Sequence, residues 1–325
     1  MPMLSTRPPG GARPVSIGVR LPLAIAASAA LYVAGIYLTP VAAPFLLIVP
    51  LPGLVLVAQA SWACAAWLLL TATAVGLVLG AGAAASLLMF FGFPASAMAV
   101  ALRRHWPVEV AVLLATASWS LGLMLSGLLT YGDLASIGAA AHQQINSGLD
   151  LALSAYGSVG MADDTLAAMR ADRAALVNGL VDILPALLVL CGAFMALLNI
   201  VLLRRWTNAL EDVDLRLWRT PDALIWVLIV AGFAMFVPVE PLSLAARNAF
   251  IVLLGCYFCQ GLAIVSYFLE RLRLPRGVRL VGYLLIAVQH IVAGVVLALG
   301  VFDLWGNFRR LTVGSADVQF PSDGE

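Results

Sequence analysis

The chain has 325 residues, of which 62% are hydrophobic and 11% are charged, and its formal net charge is +1. An average soluble domain is about half apolar and roughly a quarter charged, so this composition excludes an ordinary soluble domain and indicates a polytopic α-helical protein of the lipid bilayer. The long, unbroken apolar segments exclude a membrane β-barrel, whose strands are short and alternate in polarity. All 18 basic residues are Arg and flank apolar segments, which argues against a nucleic-acid partner.

The chain begins with a Pro- and Gly-rich basic segment, residues 1–20, which we expect to be flexible. The apolar segment that follows is long for the hydrophobic region of a signal peptide, and no convincing cleavage site accompanies it. We therefore interpret it as an uncleaved membrane helix.

Apolar windows of about 20 residues predict eight or nine membrane spans. The second window is the weakest because Pro44, Pro50, Pro52 and Gly53 interrupt it, and we expect it to be broken, tilted or partly re-entrant. The windows are residues 21–39, 42–58, 62–79, 83–102, 108–131, 180–203, 222–239, 247–269 and 280–301.

Residues 132–178 form an extramembrane insert between the first five spans, within 21–131, and the last four, within 179–301. Apolar residues repeat at helical spacing from Leu134 to Tyr156, a Gly-rich break follows, and acidic residues then favour a second helix start. We predict an outer helical hairpin that is too short for a core of its own and caps the spans.

The placement of Arg predicts the orientation of the chain, because cytoplasmic loops are enriched in basic residues. A cytoplasmic N-terminus puts the Arg clusters at 103–104, 204–219 and 271–279 on the cytoplasmic side. Residues 302–325 form an amphipathic segment and a flexible tail, which lies outside with nine spans and inside with eight.

Small residues line two predicted spans. Gly76 and Gly80 form a GxxxG pair, and Ala26, Ala30 and Ala34 share one face of the first span. Such faces permit close helix approach in lipid, so they predict helix packing.

Sequence motifs give no support to catalysis or metal binding. All four Cys lie in apolar segments, and we interpret them as small buried hydrophobes. Cys256 and Cys259 stand one turn apart, but a tetrahedral metal site needs two further ligands, which no second motif supplies. Nucleotide-binding, zinc-protease and serine-hydrolase motifs are absent, and no two carboxylates lie mid-span. We predict no metal, no cofactor and no enzymatic activity.

Polar residues within the last two spans form the predicted ligand site, because polar groups in a bilayer are costly. Gln260 and His290 are equally far from the Arg cluster between them, about 15 Å deep on helices that would run antiparallel. Their matched depth predicts that they can meet in the bundle interior. Tyr257 lies one turn from Gln260, and Gln289 adjoins His290. Three alternatives remain open: a midplane ligand or proton site, a hydrogen-bonded packing seam, and a lipid-facing placement.

A second polar set lies near the outer surface, around the short loop after the seventh span. Glu240 and Arg247 form its predicted lip, and we add Asn248 to the ligand-binding residues. Asp182 and Asn178 could join this set. The set is either an interfacial salt bridge and helix cap or the lip of a cavity beneath the hairpin.

Three stretches of the C-terminal half carry a resemblance to a known family: WRTPDALIW at 218–226, residues 247–271, and LGVFDLWGNFRR at 299–310. They resemble the YybS-like family of uncharacterised bacterial membrane proteins, domain-of-unknown-function family 2232. A bulkier and more acidic pair is expected where this chain has Gly306 and Asn307. The matching residues are Trp218, Pro221, Asp222, Asn248, Tyr257, Gln260, Gly261, Gly300, Asp303, Trp305, Arg309 and Arg310.

The resemblance implies a bacterial cytoplasmic (inner) membrane protein without an established activity. The family is usually grouped with the substrate-binding S components of energy-coupling-factor vitamin transporters and with a cell-shape membrane protein. It therefore implies a small-molecule-binding subunit that relies on a partner membrane subunit and a separate ATPase. The alternative is a structural or morphogenetic scaffold that acts through helix contacts with envelope proteins. An intramembrane enzyme with His290 as its base is disfavoured, because no nucleophile or metal set accompanies it.

Overall fold

The computed structural model describes residues 17–38, 43–57, 61–207 and 214–309. All regular secondary structure within these ranges is helical, which confirms the predicted all-α class. The α-helices are α1 (Ile17–Tyr37), α2 (Ala43–Leu46), α3 (Leu51–Val57), α4 (Ser61–Leu79), α5 (Ala81–Leu87), α6 (Phe93–Arg103), α7 (Val108–Tyr131), α8 (Leu134–Ser158), α9 (Asp163–Ala171), α10 (Arg173–Trp206), α11 (Leu224–Ala234), α12 (Glu240–Arg271), α13 (Arg276–Val288) and α14 (His290–Gly306). Leu88–Gly92 forms a π-helical turn and Leu215–Leu217 a 3-10 turn.

Five helical stretches of the described chain are long and apolar enough to cross a membrane, and a sixth results if α13 and α14 count as one bent span. Three further apolar helices are shorter, at Pro44–Leu56, Ala63–Leu79 and Leu224–Ala234. The structure therefore supports five or six of the eight or nine predicted spans. The five long stretches are Val19–Tyr37, Ala81–Arg103, Val108–Tyr131, Arg173–Trp206 and Glu240–Arg271.

The chain divides into two compact units, and the first comprises Met1–Ala168 and Leu188–Glu211. Its second apolar window is interrupted as its prolines predict, because α2 ends at Leu46 and α3 begins at Leu51. Side chains satisfy the freed carbonyls: Ser28 Oγ donates to Val49 O at 3.0 Å, and Asn199 Nδ2 donates to Leu47 O at 2.7 Å. Such bonds are what irregular backbone requires at membrane depth.

Helices α8 and α9 form in the predicted insert. Asp133 caps α8, since its Oδ1 accepts a hydrogen bond from Ser136 N at 2.8 Å. Leu166 of α9 is buried, and Gly157 of α8 lies beside it. The outer location of these helices and their role as a cap stay predictions.

The second unit comprises Met169–Leu187 and Asp212–Glu325, and within it α12 packs against α11 and α14. A Cβ on Gly261 would clash with Val296 O, and a Cβ on Gly300 would clash with Tyr257 O. Because residue 261 meets 296 while residue 257 meets 300, α12 and α14 run antiparallel and touch backbone to backbone. An apolar cluster of Ile225, Leu228, Leu253 and Tyr257 joins α11 to α12.

The predicted last span is not one straight helix. Gln289 has an extended backbone that ends α13 and begins α14, and the two helices are bent by 99°. Gln289 N donates to Leu285 O at 2.8 Å, while Gln289 O accepts from Ala293 N at 3.0 Å. The Gln289 N–H thus completes the end of α13 and its carbonyl completes the start of α14, so both main-chain polar groups of this residue stay hydrogen-bonded at the bend.

Candidate functional site

Gln260 lies at the centre of a buried polar network in the second unit. Its side chain is on α12 and the residue is 1% exposed. Gln260 Oε1 accepts hydrogen bonds from the backbone N–H of Thr220, at 3.0 Å, and from the hydroxyl of Thr220. Gln260 Nε2 donates to Asp303 Oδ2 at 3.1 Å. Both ends of the carboxamide are therefore bonded to protein.

Asp303 and Arg309 form a buried ion pair beside Gln260. Arg309 Nη2 lies 2.8 Å from Asp303 Oδ2, and Phe308 N donates to Asp303 Oδ1 at 3.0 Å. Asn307 adopts a left-handed conformation, φ 36°, that ends α14 and turns the chain back. This turn lets Arg309 reach Asp303. We call Thr220, Gln260, Asp303 and Arg309 the Gln260 network.

The Gln260 network supplies hydrogen bonds to backbone carbonyls of the irregular segment that precedes α11. Arg309 Nη1 donates to the carbonyls of Arg216, at 2.7 Å, and Trp218, at 2.9 Å. Helix α11 begins only at Leu224, so these carbonyls have no place in a helical ladder. Unpaired carbonyls in an apolar unit cost several kcal/mol each, of order 2–7. The network therefore fixes the segment before α11 against α12 and α14.

The structure separates Gln289 and His290 from the other residues of the predicted midplane site. Tyr257 is buried in the apolar cluster, and its side chain interacts with Thr220, which also bonds Gln260. Gln289 and His290 are exposed at the bend. Within the described chain, Gln260 bonds Thr220 and Asp303, so the predicted meeting of Gln260 with His290 is wrong. The equal-depth argument assumed a straight helix through residue 290, and the 99° bend removes that assumption.

Asn248 bonds the backbone of α10 near a proline. Asn248 Oδ1 accepts from Ala186 N at 2.8 Å, and Asn248 Nδ2 donates to Asp182 O at 2.7 Å. In a regular α-helix these two backbone groups bond each other. Pro185 lies inside α10, and its ring disturbs the preceding turn. The Asn248 carboxamide thus supplies bonds to a turn that a proline weakens.

The predicted lip residues occupy two different settings. Arg247 Nη1 lies 2.9 Å from Asp182 Oδ2, and both side chains are partly exposed. Such a pair contributes about 0–1 kcal/mol. Glu240 is exposed in the first turn of α12, where its charge complements the helix dipole. The observed contacts include the predicted salt bridge but no side-chain cap, since the N-cap residue of α12 is Val239.

An open polar groove of about 340 Å³ lies at the other end of α12. The Arg216 guanidinium bonds both Asp214 oxygens, at 2.7 and 2.9 Å, and pairs with Glu270. The hydrogen bond to Asp214 raises the pKa of Arg216. The lining residues are Asp214, Arg216, Leu217, Tyr267, Glu270 and Arg271.

Sequence reasoning missed three members of the Gln260 network as site residues. Thr220, Asp303 and Arg309 lie in the WRTPD and FDLWGNFRR segments, which were selected only for the family resemblance. That resemblance is the signal that could have found two of them, because Asp303 and Arg309 are among its matching residues together with Gln260. Among the described residues, no group of three or more His, Cys, Asp or Glu is placed to hold a metal. The four Cys are free, but Cys191 is exposed and the other three are half-buried, so none is fully buried as predicted.

The sequence matches the family model described as "Predicted membrane protein (DUF2232)" over residues 26–304. This match covers well over half of the 325 residues and includes Thr220, Gln260 and Asp303. No curated protein and no solved structure matches the chain.

Proposed function

The chain belongs to the DUF2232 family of predicted membrane proteins, and we propose that it is a non-catalytic structural subunit of the membrane. One observation carries this proposal. Gln260, Asp303 and Arg309 are at most 3% exposed and bond one another in a closed seam. At Gly261 and Gly300, the two helices of this seam, α12 and α14, touch backbone to backbone. Gln260, the buried polar member of the predicted midplane site, is thus occupied in holding helices together.

A small-residue face on α1 supports action through helix contacts. Ala26 and Ala30 are exposed, and an apolar groove of about 530 Å³ opens beside them. A helix with small residues can approach such a face closely in lipid. We propose that this face receives a spanning helix of an envelope protein. The groove is lined by Ala27, Ala30, Leu31, Ala34, Phe45, Ile48, Leu51, Pro52 and Trp206.

The distribution of Arg supports an orientation of the chain in the membrane. We propose a bacterial inner-membrane protein with a cytoplasmic N-terminus and eight or nine spans, where the three shorter apolar helices complete the count. The Arg clusters at 103–104, 204–219 and 271–279 support this orientation.

The second candidate function is a small-molecule-binding subunit like the S component of a vitamin transporter, which would need a partner membrane subunit and a separate ATPase. The polar groove near Arg271 favours it, because its volume of about 340 Å³ falls within the range of ligand sites. The ligand would then bind by Arg271 and Tyr267, away from Gln260.

Mass spectrometry of small molecules retained by the purified chain separates the two functions. The scaffold proposal predicts no retained metabolite and a co-purifying membrane protein. It also predicts that Ala30→Trp releases this partner, whereas Leu77→Trp, on the exposed side of α4, does not. A metabolite that wild type and Gln260→Ala retain but Arg271→Gln loses would overturn the scaffold proposal and support the second function.

A further inference from the structure

Helix α13 has one exposed apolar face and one face that contacts the protein. Val278, Val281, Leu285 and Val288 lie on one face, and each is between 49% and 67% exposed. The other face contacts the protein: Tyr283 OH lies 2.7 Å from Ser266 Oγ of α12. An apolar face of this size without a protein cover needs another apolar environment.

The bend at Gln289 orients this apolar face. Helix α14 packs antiparallel along α12, which is long enough to span a membrane. Helix α13 is bent by 99° from α14, so it runs nearly perpendicular to the spanning direction. Its 13 residues give a length of about 20 Å, too short to cross a bilayer. This geometry is that of a helix lying in the membrane interface.

Four Arg surround the start of α13. Arg271, Arg273 and Arg276 are exposed, and Arg279 is partly exposed while its Nε donates to Leu274 O at 2.9 Å. The acidic residue nearest along the chain, Glu270, pairs with Arg216. The start of α13 therefore presents a concentrated positive charge next to an apolar face.

We propose that α13 is an interfacial helix that docks on the anionic phospholipid headgroups of its own leaflet. The apolar face enters the acyl boundary, and the Arg side chains bind headgroup phosphates. Charge complementarity selects this occupant, because an apolar partner helix or a second copy of α13 would leave the four Arg without counter-charges. The inference uses none of the residues in the proposed scaffold contacts, so either can fail alone.

Lipid retention tests the docking. Wild type, purified with an equimolar mixture of phosphatidylglycerol and phosphatidylcholine, is expected to retain the anionic lipid preferentially in native mass spectrometry. Arg273→Gln/Arg276→Gln is expected to lower this preference by about fivefold for each Arg removed at low ionic strength. Arg103→Gln/Arg104→Gln removes the same charge from the first unit and is expected to leave the preference unchanged.

Three outcomes would overturn the proposal. An equal loss in both double variants would mean that net charge, and not α13, selects the lipid. Hydrogen exchange of residues 276–288 in nanodiscs provides the second measurement, and protection is expected to rise with phosphatidylglycerol content. Protection that follows protein concentration would assign the face to a second copy. If the Arg273→Gln/Arg276→Gln variant does not fold, the salt dependence of wild type is the test. A preference of wild type for phosphatidylglycerol that persists at about 1 M salt contradicts headgroup binding.

Discussion

The carboxamide of Asn248 on α12 bonds the backbone N–H of Ala186 on α10, with 2.8 Å between Oδ1 and N. The same carboxamide donates to the carbonyls of Asp182 and Leu244, at 2.7 and 2.9 Å. Asn248 thus cross-links two long helices through main-chain groups, next to Pro185.

Asn248→Ala is expected to destabilise the protein, because Ala186 N and Asp182 O lose a partner in an apolar setting. A buried group left without its partner costs about 1–3 kcal/mol. The thermal midpoint of the purified protein measures the loss. Asn178→Ala, at an exposed position of α10, is the control. Equal midpoints for the two variants would contradict the cross-link.

Gly300→Ala is expected to cost more than about 1–3 kcal/mol, because its methyl group would meet Tyr257 O, a backbone atom that cannot rotate away. The matched control is Gly294→Ala in the same helix, where nothing lies within 4 Å of the added Cβ. Gly294→Ala is expected to be neutral or to stabilise by up to about 1 kcal/mol. Denaturation in detergent compares the two, and a tolerated Gly300→Ala would contradict the backbone contact.

Asp303→Asn and Arg309→Gln are each expected to destabilise the protein, because each leaves one buried charge without its partner. The side chains are 2% and 0% exposed, and breaking such a pair costs about 3–5 kcal/mol. The double variant is expected to lose less than the sum of the single losses. Unfolding free energies of the four proteins measure this coupling. Additive losses would show that the two side chains act independently.

The start of α8 is expected to respond to pH. Hydrogen bonds from the Ser136 backbone N–H and hydroxyl hold the pKa of Asp133 below its usual range. The stabilisation is complete above the unfolded pKa, about 3.9, and is lost as pH falls through the lower folded pKa. Hydrogen exchange in the first turn of α8, corrected for intrinsic rates, should therefore accelerate below about pH 4. In Asp133→Ala the turn should open equally at all pH values. A wild-type turn with a pH-independent opening would rule out the Asp133 cap as its cause.

Composition and periodicity predicted the helical class and most helix positions, because the length of an apolar segment can be counted directly along the sequence. The broken second window was also predictable, since its prolines stand in the sequence. The bend at Gln289 was not, because residues 280–301 contain neither Pro nor a charged residue, and the 99° angle depends on how α13 and α14 pack.

The candidate site was likewise only partly predictable. The equal-depth argument identified Gln260 but paired it with His290, because it placed both residues on straight helices. Its actual partners, Thr220 and Asp303, lie 40 and 43 residues away in sequence. The contact of Gln260 with Asp303 depends on the close approach of α14 to α12 at Gly300, and that of Arg309 with Asp303 depends on the left-handed turn at Asn307. No periodicity encodes either feature.

The bonds of Arg309 also constrain the order in which the second unit is completed. Arg309 lies 93 residues after Arg216, whose carbonyl it binds. During synthesis, the segment before α11 therefore enters the unit long before its partner exists, since chains fold from the N-terminus. Until Arg309 emerges, the carbonyls of Arg216 and Trp218 need water or another temporary partner. Completion of the unit is thus tied to translation as far as Arg309, so a product that ends before Arg309 is expected to expose this segment to membrane quality control.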